Sequence, residues 1–189
     1  MSSILRQFLC NPKQVGAIGP SSRALSRRIV SEAGVADARR IVEYGPGTGS
    51  FTRRILEAKP PGAAFCAIEH NAHLAAGFRR RFPKVTLFED TVENVEDLVG
   101  SLGHSAVDCI VSGLPWAAFS EGLQDRLLDA TLAVLQPGGT FVTFAYLQGL
   151  LMRSGKRFRR KLHDRFAAVR RSPVVWWNLP PAIVYRCVR

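Results

Sequence analysis

The chain has 189 residues, 47% hydrophobic and 22% charged, which suits one globular domain large enough for a full core. No apolar run approaches the ~20 residues of a membrane-spanning helix, the N-terminus lacks a signal-peptide pattern, and Cys10, Cys66, Cys109 and Cys187 are too scattered for metal or redox spacing. The formal net charge is +11, and most of the excess sits in one segment from Arg153 to Arg171, where nine Lys and Arg residues face a single acid, Asp164.

In chain order, Ile4, Leu5, Phe8 and Leu9 share one helical face, with Arg6 and Lys13 elsewhere. Such an amphipathic element either lies in a bilayer interface or packs on the protein's own core. From residue 38, strand-like and helix-like stretches alternate. Arg39–Tyr44, Ala64–Glu69, Val85–Glu89, Val107–Ser112 and Thr140–Tyr146 read as strands. Ser50–Ala58, Asn71–Phe82, Glu93–Leu102 and Glu121–Leu135 read as helices, and Pro137-Gly138-Gly139 marks the turn before the fifth strand. This alternation predicts a parallel sheet covered on both faces. Phe166–Trp177 and Ile183–Val188 read as two further strands, joined so briefly that they must be antiparallel. Strand alternation predicts that Trp176 and Trp177 face opposite ways.

The chemistry concentrates where ligands bind in open α/β sheets, at the carboxyl ends of the strands. Glu43 precedes Gly45, Gly47 and Gly49, and a helix follows. Bare backbone can approach a ligand through such a loop. The spacing differs from the G-x-G-x-x-G fingerprint and no phosphate-binding Gly-Lys-Ser/Thr follows, so a pyrophosphate is disfavoured, whereas the acid suits an ammonium group. Glu69, ending the second strand, is placed to accept hydrogen bonds from ribose hydroxyls. Asp90 and Thr91 follow the third strand, where a carboxylate can accept from an adenine amino group. Ser112, Gly113, Leu114, Pro115 and Trp116 follow the fourth and should form the reaction site. His70 and His73 lack the partners of a metal site and read as exposed helix residues. No metal is expected.

The Glu-x-Gly-x-Gly-x-Gly loop resembles that of class I S-adenosylmethionine (SAM) methyltransferases. The segments Phe8–Ser22, Ser112–Pro115 and Asn178–Arg186 resemble bacterial soluble phospholipid N-methyltransferases, and the likeness runs along essentially the whole chain. It implies a Rossmann-like α/β fold: a mostly parallel seven-stranded sheet, an antiparallel C-terminal hairpin and helices on both faces. It also implies a single domain over 1–189, with 1–37 a helical lid and membrane-contact region and 38–189 the catalytic core. SAM is the implied cofactor, and the family's SAM-binding acids and glycines carry over to Glu43, Gly45, Gly47 and Glu69; Gly49, Asp90, Thr91 and Ser112 complete the expected site by their place in the loops at the strand ends. Ser112, Leu114, Pro115 and Trp116 form the implied catalytic loop.

The implied acceptor is the amine of a membrane phospholipid such as phosphatidylethanolamine. The implied location is cytoplasmic, at the inner face of the membrane. The Arg153–Arg171 segment and the N-terminal helix would then hold an anionic surface. The rRNA adenine N6-dimethyltransferases are a related group, and nucleic acid is the alternative acceptor. This chain lacks their reaction-loop Asn, which Ser112-Gly113 replaces, and has no length for their C-terminal RNA-binding domain. No general base stands out: Glu121, Tyr146 and Tyr185 are possible. Trp116 offers an aromatic face for a cationic product amine.

Overall fold

A computed structural model describes residues 21–189. The amphipathic segment with Ile4, Leu5, Phe8 and Leu9 lies outside the described residues, as does most of the 1–37 region. Within them the first helix, α1 (Arg23–Ala33), starts where the Ser22 hydroxyl accepts the Leu25 amide at 3.1 Å and ends at Gly34. There follow β1 (Arg40–Tyr44), α2 (Ser50–Ala58), β2 (Ala64–Ile68), α3 (Ala72–Arg81), β3 (Thr86–Phe88), α4 (Val95–Gly100), β4 (Val107–Ser112), α5 (Glu121–Val134) and β5 (Leu135–Tyr146). The chain closes with α6 (Leu147–Leu151), α7 (Arg153–Arg165), β6 (Ala168–Arg171) and β7 (Ala182–Val188).

The seven strands form one sheet in the order β3-β2-β1-β4-β5-β7-β6. The first five run parallel, and β7 pairs antiparallel with both β5 and β6. Side chains alternate across the sheet, so each central strand feeds two cores. Ile41, Cys109, Val111, Val142 and Val184 pack with Leu25 and Ile29 of α1 and Phe51 and Ile55 of α2. Val42, Ile110, Phe141 and Tyr185 pack on the other face, where Val95 and Val99 of α4, Leu127 and Leu128 of α5, and Phe158 and Leu162 of α7 bury their apolar stripes. The α/β, mostly parallel sheet with its antiparallel hairpin matches the fold class implied by the sequence.

Several boundaries differ. Pro137-Gly138-Gly139 does not precede the fifth strand but forms an irregularity within it: Val107 pairs with Leu135, and Cys109 next pairs with Thr140. The expected Glu93–Leu102 helix is split into a 3₁₀ turn at Val92–Asn94 and the short α4. The expected strand over Phe166–Trp177 shrinks to Ala168–Arg171, because α7 runs to Arg165 and pairing beyond Ser172–Pro173 is reduced to one bridge between Val175 and Ala182. Trp176 and Trp177 therefore lie in the turn before β7, and both are exposed, at 69% and 88%. They do not alternate as a strand would.

Candidate functional site

Three backbone hydrogen bonds bring the carboxyl ends of β1, β2, β3 and β4 together. The Gly45 amide donates to the Ile68 carbonyl (2.9 Å), the Gly113 amide to the Tyr44 carbonyl (2.8 Å), and the Glu69 amide to the Phe88 carbonyl (2.9 Å). A Cβ on Gly113 would lie 2.7 Å from the Gly45 carbonyl oxygen, so the β1 and β4 loops meet backbone to backbone. Over this junction opens a cavity of about 460 Å³, lined by Gly45, Glu69, Asp90, Thr91, Leu114 and Pro115 among others.

Each glycine of the loop has a positive φ, but the reasons differ. A Cβ on Gly45 would meet Leu114 Cδ2 at 2.7 Å, whereas one on Gly47 would meet nothing within 4 Å. Space above Gly47 is thus open to a ligand. Gly49 is constrained by packing instead: a Cβ there would fall 2.1 Å from the Phe82 ring. Gly49 caps α2 and lies off the cavity wall, as does Gly47, whose amide donates to Glu69 Oε2 at 3.1 Å.

Glu69 Oε1 accepts the Asn71 amide at 3.0 Å, so its carboxylate ties the glycine loop to the start of α3. Burial pushes its pKa up, and the Asn71 and Gly47 amides hold it down. It lines the cavity, and a carboxylate has acceptor capacity beyond these two bonds for ligand hydroxyls. Asp90 also lines the cavity: Oδ1 accepts the Thr91 amide (2.7 Å) and the Asn94 side-chain amide (2.9 Å). Ile68, Val92, Leu123 and Leu127 add an apolar wall, and His70 lies at the rim rather than on a helix. None of these was singled out from sequence as lining the site. Val92 alone had a local signal, its place next to Asp90-Thr91.

Glu43 is fully buried beneath the loop and off the cavity wall. Its Oε2 accepts the Thr52 hydroxyl at 2.6 Å, while Oε1 is buried without a partner among the described residues. Burial raises its carboxyl pKa from 4.5 to about 8, outweighing the Thr52 hydrogen bonds. In this state Glu43 is neutral at pH 7 and fastens β1 to α2.

Trp116 requires a correction. It is 2% exposed and lies outside the cavity. Its ring stacks on Phe158 (centroids 5.0 Å apart) and meets Phe141 and Phe119 edge-on. Its indole Nε1–H donates to Ser112 Oγ at 2.9 Å. Its faces are therefore spent on the core, where α7 packs, and none is presented to an amine. Ser112 is likewise fully buried, with its hydroxyl facing the Trp116 indole and the Leu114 amide. Ser112 and Trp116 thus fix the loop, and Leu114 and Pro115 are the parts of it that reach the cavity. Of the base candidates, Glu121 sits beside Arg157 (3.5 Å) and Lys161 (3.8 Å), and Tyr185 is buried in the core.

The basic segment is less uniformly free than its sequence implies. Its inner face meets acids of α5: Lys161 pairs with Asp125 at 2.6 Å, and Arg165 with Asp125 (2.7 Å) and Asp129 (3.3 Å). Arg153, Lys156, Arg159, Arg160, Arg170 and Arg171 are exposed and make no ion pair among the described residues. Among those residues no group of His, Cys, Asp and Glu is assembled to hold a metal.

The residues present fit SAM. The cavity has the size of a small-molecule site, the Glu69 and Asp90 carboxylates line it as acceptors for hydroxyl or amine donors, and Glu43 Oε1 is buried without a partner among the described residues. Glu69→Ala is expected to weaken SAM binding at least tenfold by calorimetry, since each charge-assisted hydrogen bond contributes about 1.5–3 kcal/mol; unchanged affinity in a folded variant would refute the assignment. Glu43 contributes stability that is fully present below its ordinary pKa of 4.5 and is lost as pH rises through about 8. Thermal scans without SAM should show that loss in the wild type and a flatter profile for Glu43→Gln; matching profiles would exclude Glu43 as its source. Trp116→Ala should cost about 3–5 kcal/mol in denaturant unfolding, as a large core truncation does. A fully stable variant with slowed turnover would restore the acceptor role.

No family model matches the chain. An ornithine lipid N-methyltransferase from Singulisphaera acidiphila is 32% identical over 186 residues, 97% of this chain and 93% of that protein. A ribosomal RNA small subunit methyltransferase A from Chlorobaculum tepidum is 40% identical over 117 residues, but the match spans 62% of this chain and 40% of that enzyme. Among solved structures, an O-methyltransferase from Bacillus cereus in complex with SAH superposes with a TM-score of 0.70 at 14% identity, over 99% of this chain and 91% of that one. The Streptomyces achromogenes O-methyltransferase of tomaymycin synthesis, in complex with SAM, gives 0.70 at 15% identity, over 100% and 91%. At such identities the structural likeness speaks to the fold. The near full-length likeness to the lipid enzyme, joined to the glycine loop and its carboxylates, shows that the chain belongs to the lipid N-methyltransferase family of SAM-dependent class I enzymes.

Proposed function

We propose that this enzyme methylates the primary amine of a membrane lipid, phosphatidylethanolamine or an amine-bearing lipid of the ornithine type, at the cytoplasmic face of the membrane. The observation that carries this reading is the 32% identity to an ornithine lipid N-methyltransferase over 97% of the chain. Among the described residues no helix is long and apolar enough to cross a membrane, so the enzyme would meet its lipid at a surface.

SAM supplies an electrophilic methyl group on a sulfonium. In the proposed arrangement Glu69 holds the ribose, Asp90 and Thr91 the adenine edge, and Gly45 and Gly47 let the backbone close on the methionine part, with Glu43 and Gly49 setting the loop from below. Leu114 and Pro115, fixed by Ser112 and Trp116, would border the acceptor. Positioning of the nucleophile is the main task in such a displacement. A lipid amine must lose a proton before it attacks, and the apolar surroundings of Leu114 and Pro115 favour its neutral form. The Leu114, Pro115 and Trp116 carbonyls each accept a backbone amide, at 3.0, 2.8 and 3.2 Å. The Gly113 carbonyl makes no such bond among the described residues.

The similarity to rRNA methyltransferases favours adenine in RNA as a second reading. The test is transfer of labelled methyl groups from SAM to phosphatidylethanolamine vesicles, ornithine lipid vesicles and total RNA. Label is expected in lipid with unmodified RNA. Label confined to RNA would overturn the lipid reading and promote the second.

A further inference from the structure

Among the described residues the five most exposed large apolar side chains fall in two segments that follow the cofactor edge of the sheet, while Leu56 and Leu102 are exposed only to 38% and 39%. Trp176, Trp177 and Leu179, exposed at 69%, 88% and 73%, occupy the turn that leads into β7. Leu151 and Met152, exposed at 79% and 57%, form the corner between α6 and α7. The two segments start from one point: β5 ends at Tyr146 opposite Ala182, and the Leu147 amide at the head of α6 donates to the Pro181 carbonyl at the end of the turn at 3.0 Å. The turn is also built rather than loose. Asn178 is buried; its side-chain amide donates to the Pro180 carbonyl (2.7 Å), and its Oδ1 accepts the Ser22 amide (2.9 Å). Anchoring by a buried polar residue below three exposed apolar ones holds the turn outward.

Position and charge identify the partner. Tyr146 is the carboxyl end of a parallel strand, so the turn and the corner project from the same edge of the sheet as the glycine loop, Glu69 and Leu114. The cations without ion pairs flank the apolar residues: Arg153 and Lys156 follow Met152 on α7, and Arg170 and Arg171 lead into the turn on β6. From Ala130 to the C-terminus the sequence has one acid, Asp164. Amphipathic aromatics and aliphatics ringed by Lys and Arg match the two layers of an anionic bilayer surface, acyl boundary and headgroups. A protein partner of ordinary surface would leave this many cations without counter-charges.

We infer that the Trp176–Leu179 turn and the Leu151–Met152 corner form a wedge that inserts into the interface of an anionic membrane and turns the site entrance toward the lipid amines. This rests on the lipid-acceptor reading for its purpose, but its test is separable. The chain contains three tryptophans. Trp116 is buried and Trp176 and Trp177 are exposed, so a change in emission on membrane binding reports the turn. The full chain is mixed with vesicles of phosphatidylglycerol and phosphatidylcholine, with and without acyl-chain bromine. Blue-shifted emission and bromine quenching are expected, both weakening with added salt. Trp176→Ser with Trp177→Ser is expected to lower vesicle partitioning by about tenfold or more, while transfer to a lipid amine dispersed in detergent stays within about twofold because no reacting group is touched. Bound protein whose tryptophans bromine does not quench would overturn the wedge, as would unchanged partitioning of the double variant. Resistance of wild-type emission to aqueous iodide before vesicles are added would also overturn it, by showing that residues 1–20 or a second copy cover the turn. Methyl transfer to RNA alone would remove the acceptor reading, and bromine quenching would still decide the wedge.

Discussion

The site depends on how closely two loops approach at the carboxyl edge of the central strands. Gly113 stands so near Gly45 that its missing Cβ would lie 2.7 Å from a carbonyl oxygen, and the amide bonds from Gly45 to Ile68 and from Gly113 to Tyr44 extend the parallel ladder beyond the strands. Because three loops are locked together by backbone atoms, the cavity has a floor whose shape does not depend on mobile side chains. Glu69 then ties Gly47 to Asn71. A carboxylate that organises the loop and also faces a ligand is held in place before the ligand arrives, which lowers the cost of ordering on binding.

Beneath that floor the polar groups serve packing. Glu43 and Thr52 bind β1 to α2 inside the first core, and Ser112 and Trp116 bind the β4 loop to the second. The Phe158 ring stacked on Trp116 comes from α7, so the basic helix packs on the loop after β4. The ion pairs of Lys161 and Arg165 with Asp125 and Asp129 hold the same helix against α5. One face of α7 thus supports the site, and its other face leaves cations at the surface.

The sheet was legible in the sequence because β1, β2 and β4 are apolar runs with turn signals at both ends, and their boundaries hold within a residue. The order of the strands was not legible, since periodicity says nothing about neighbours; it emerges only in the folded sheet. Where a residue's surroundings differ from what its sequence neighbours suggest, tertiary contacts are the cause. Trp116, Ser112 and Gly49 carry functional-looking patterns, yet their neighbours in space (Phe158, the Trp116 indole and Phe82) decide what they do. The two tryptophans at 176 and 177 looked like strand alternation because apolar residues run on past Arg171, but α7 takes up the chain before them and Pro173 interrupts the pairing. The cavity wall of Ile68, Val92, Leu123 and Leu127 is drawn from separate elements and could be assembled only by folding.

The cofactor half and the acceptor half of the molecule obey different constraints. Binding SAM requires fixed backbone and a few carboxylates, and the loops after the parallel strands offer a backbone-locked cavity lined by Glu69 and Asp90. Taking an amine from a lipid requires an entrance at the level of the headgroups. The chain after β5 supplies a short helix, a corner, a basic helix and a turn that the antiparallel β7 brings back to the cofactor edge, and under the proposed membrane docking these would form that entrance. An antiparallel last strand is what makes this possible. A parallel strand would start at the opposite edge of the sheet, and the turn before it would point away from the site. With β7 reversed, the turn before it and the corner after β5 meet at the edge where the methyl group would be offered.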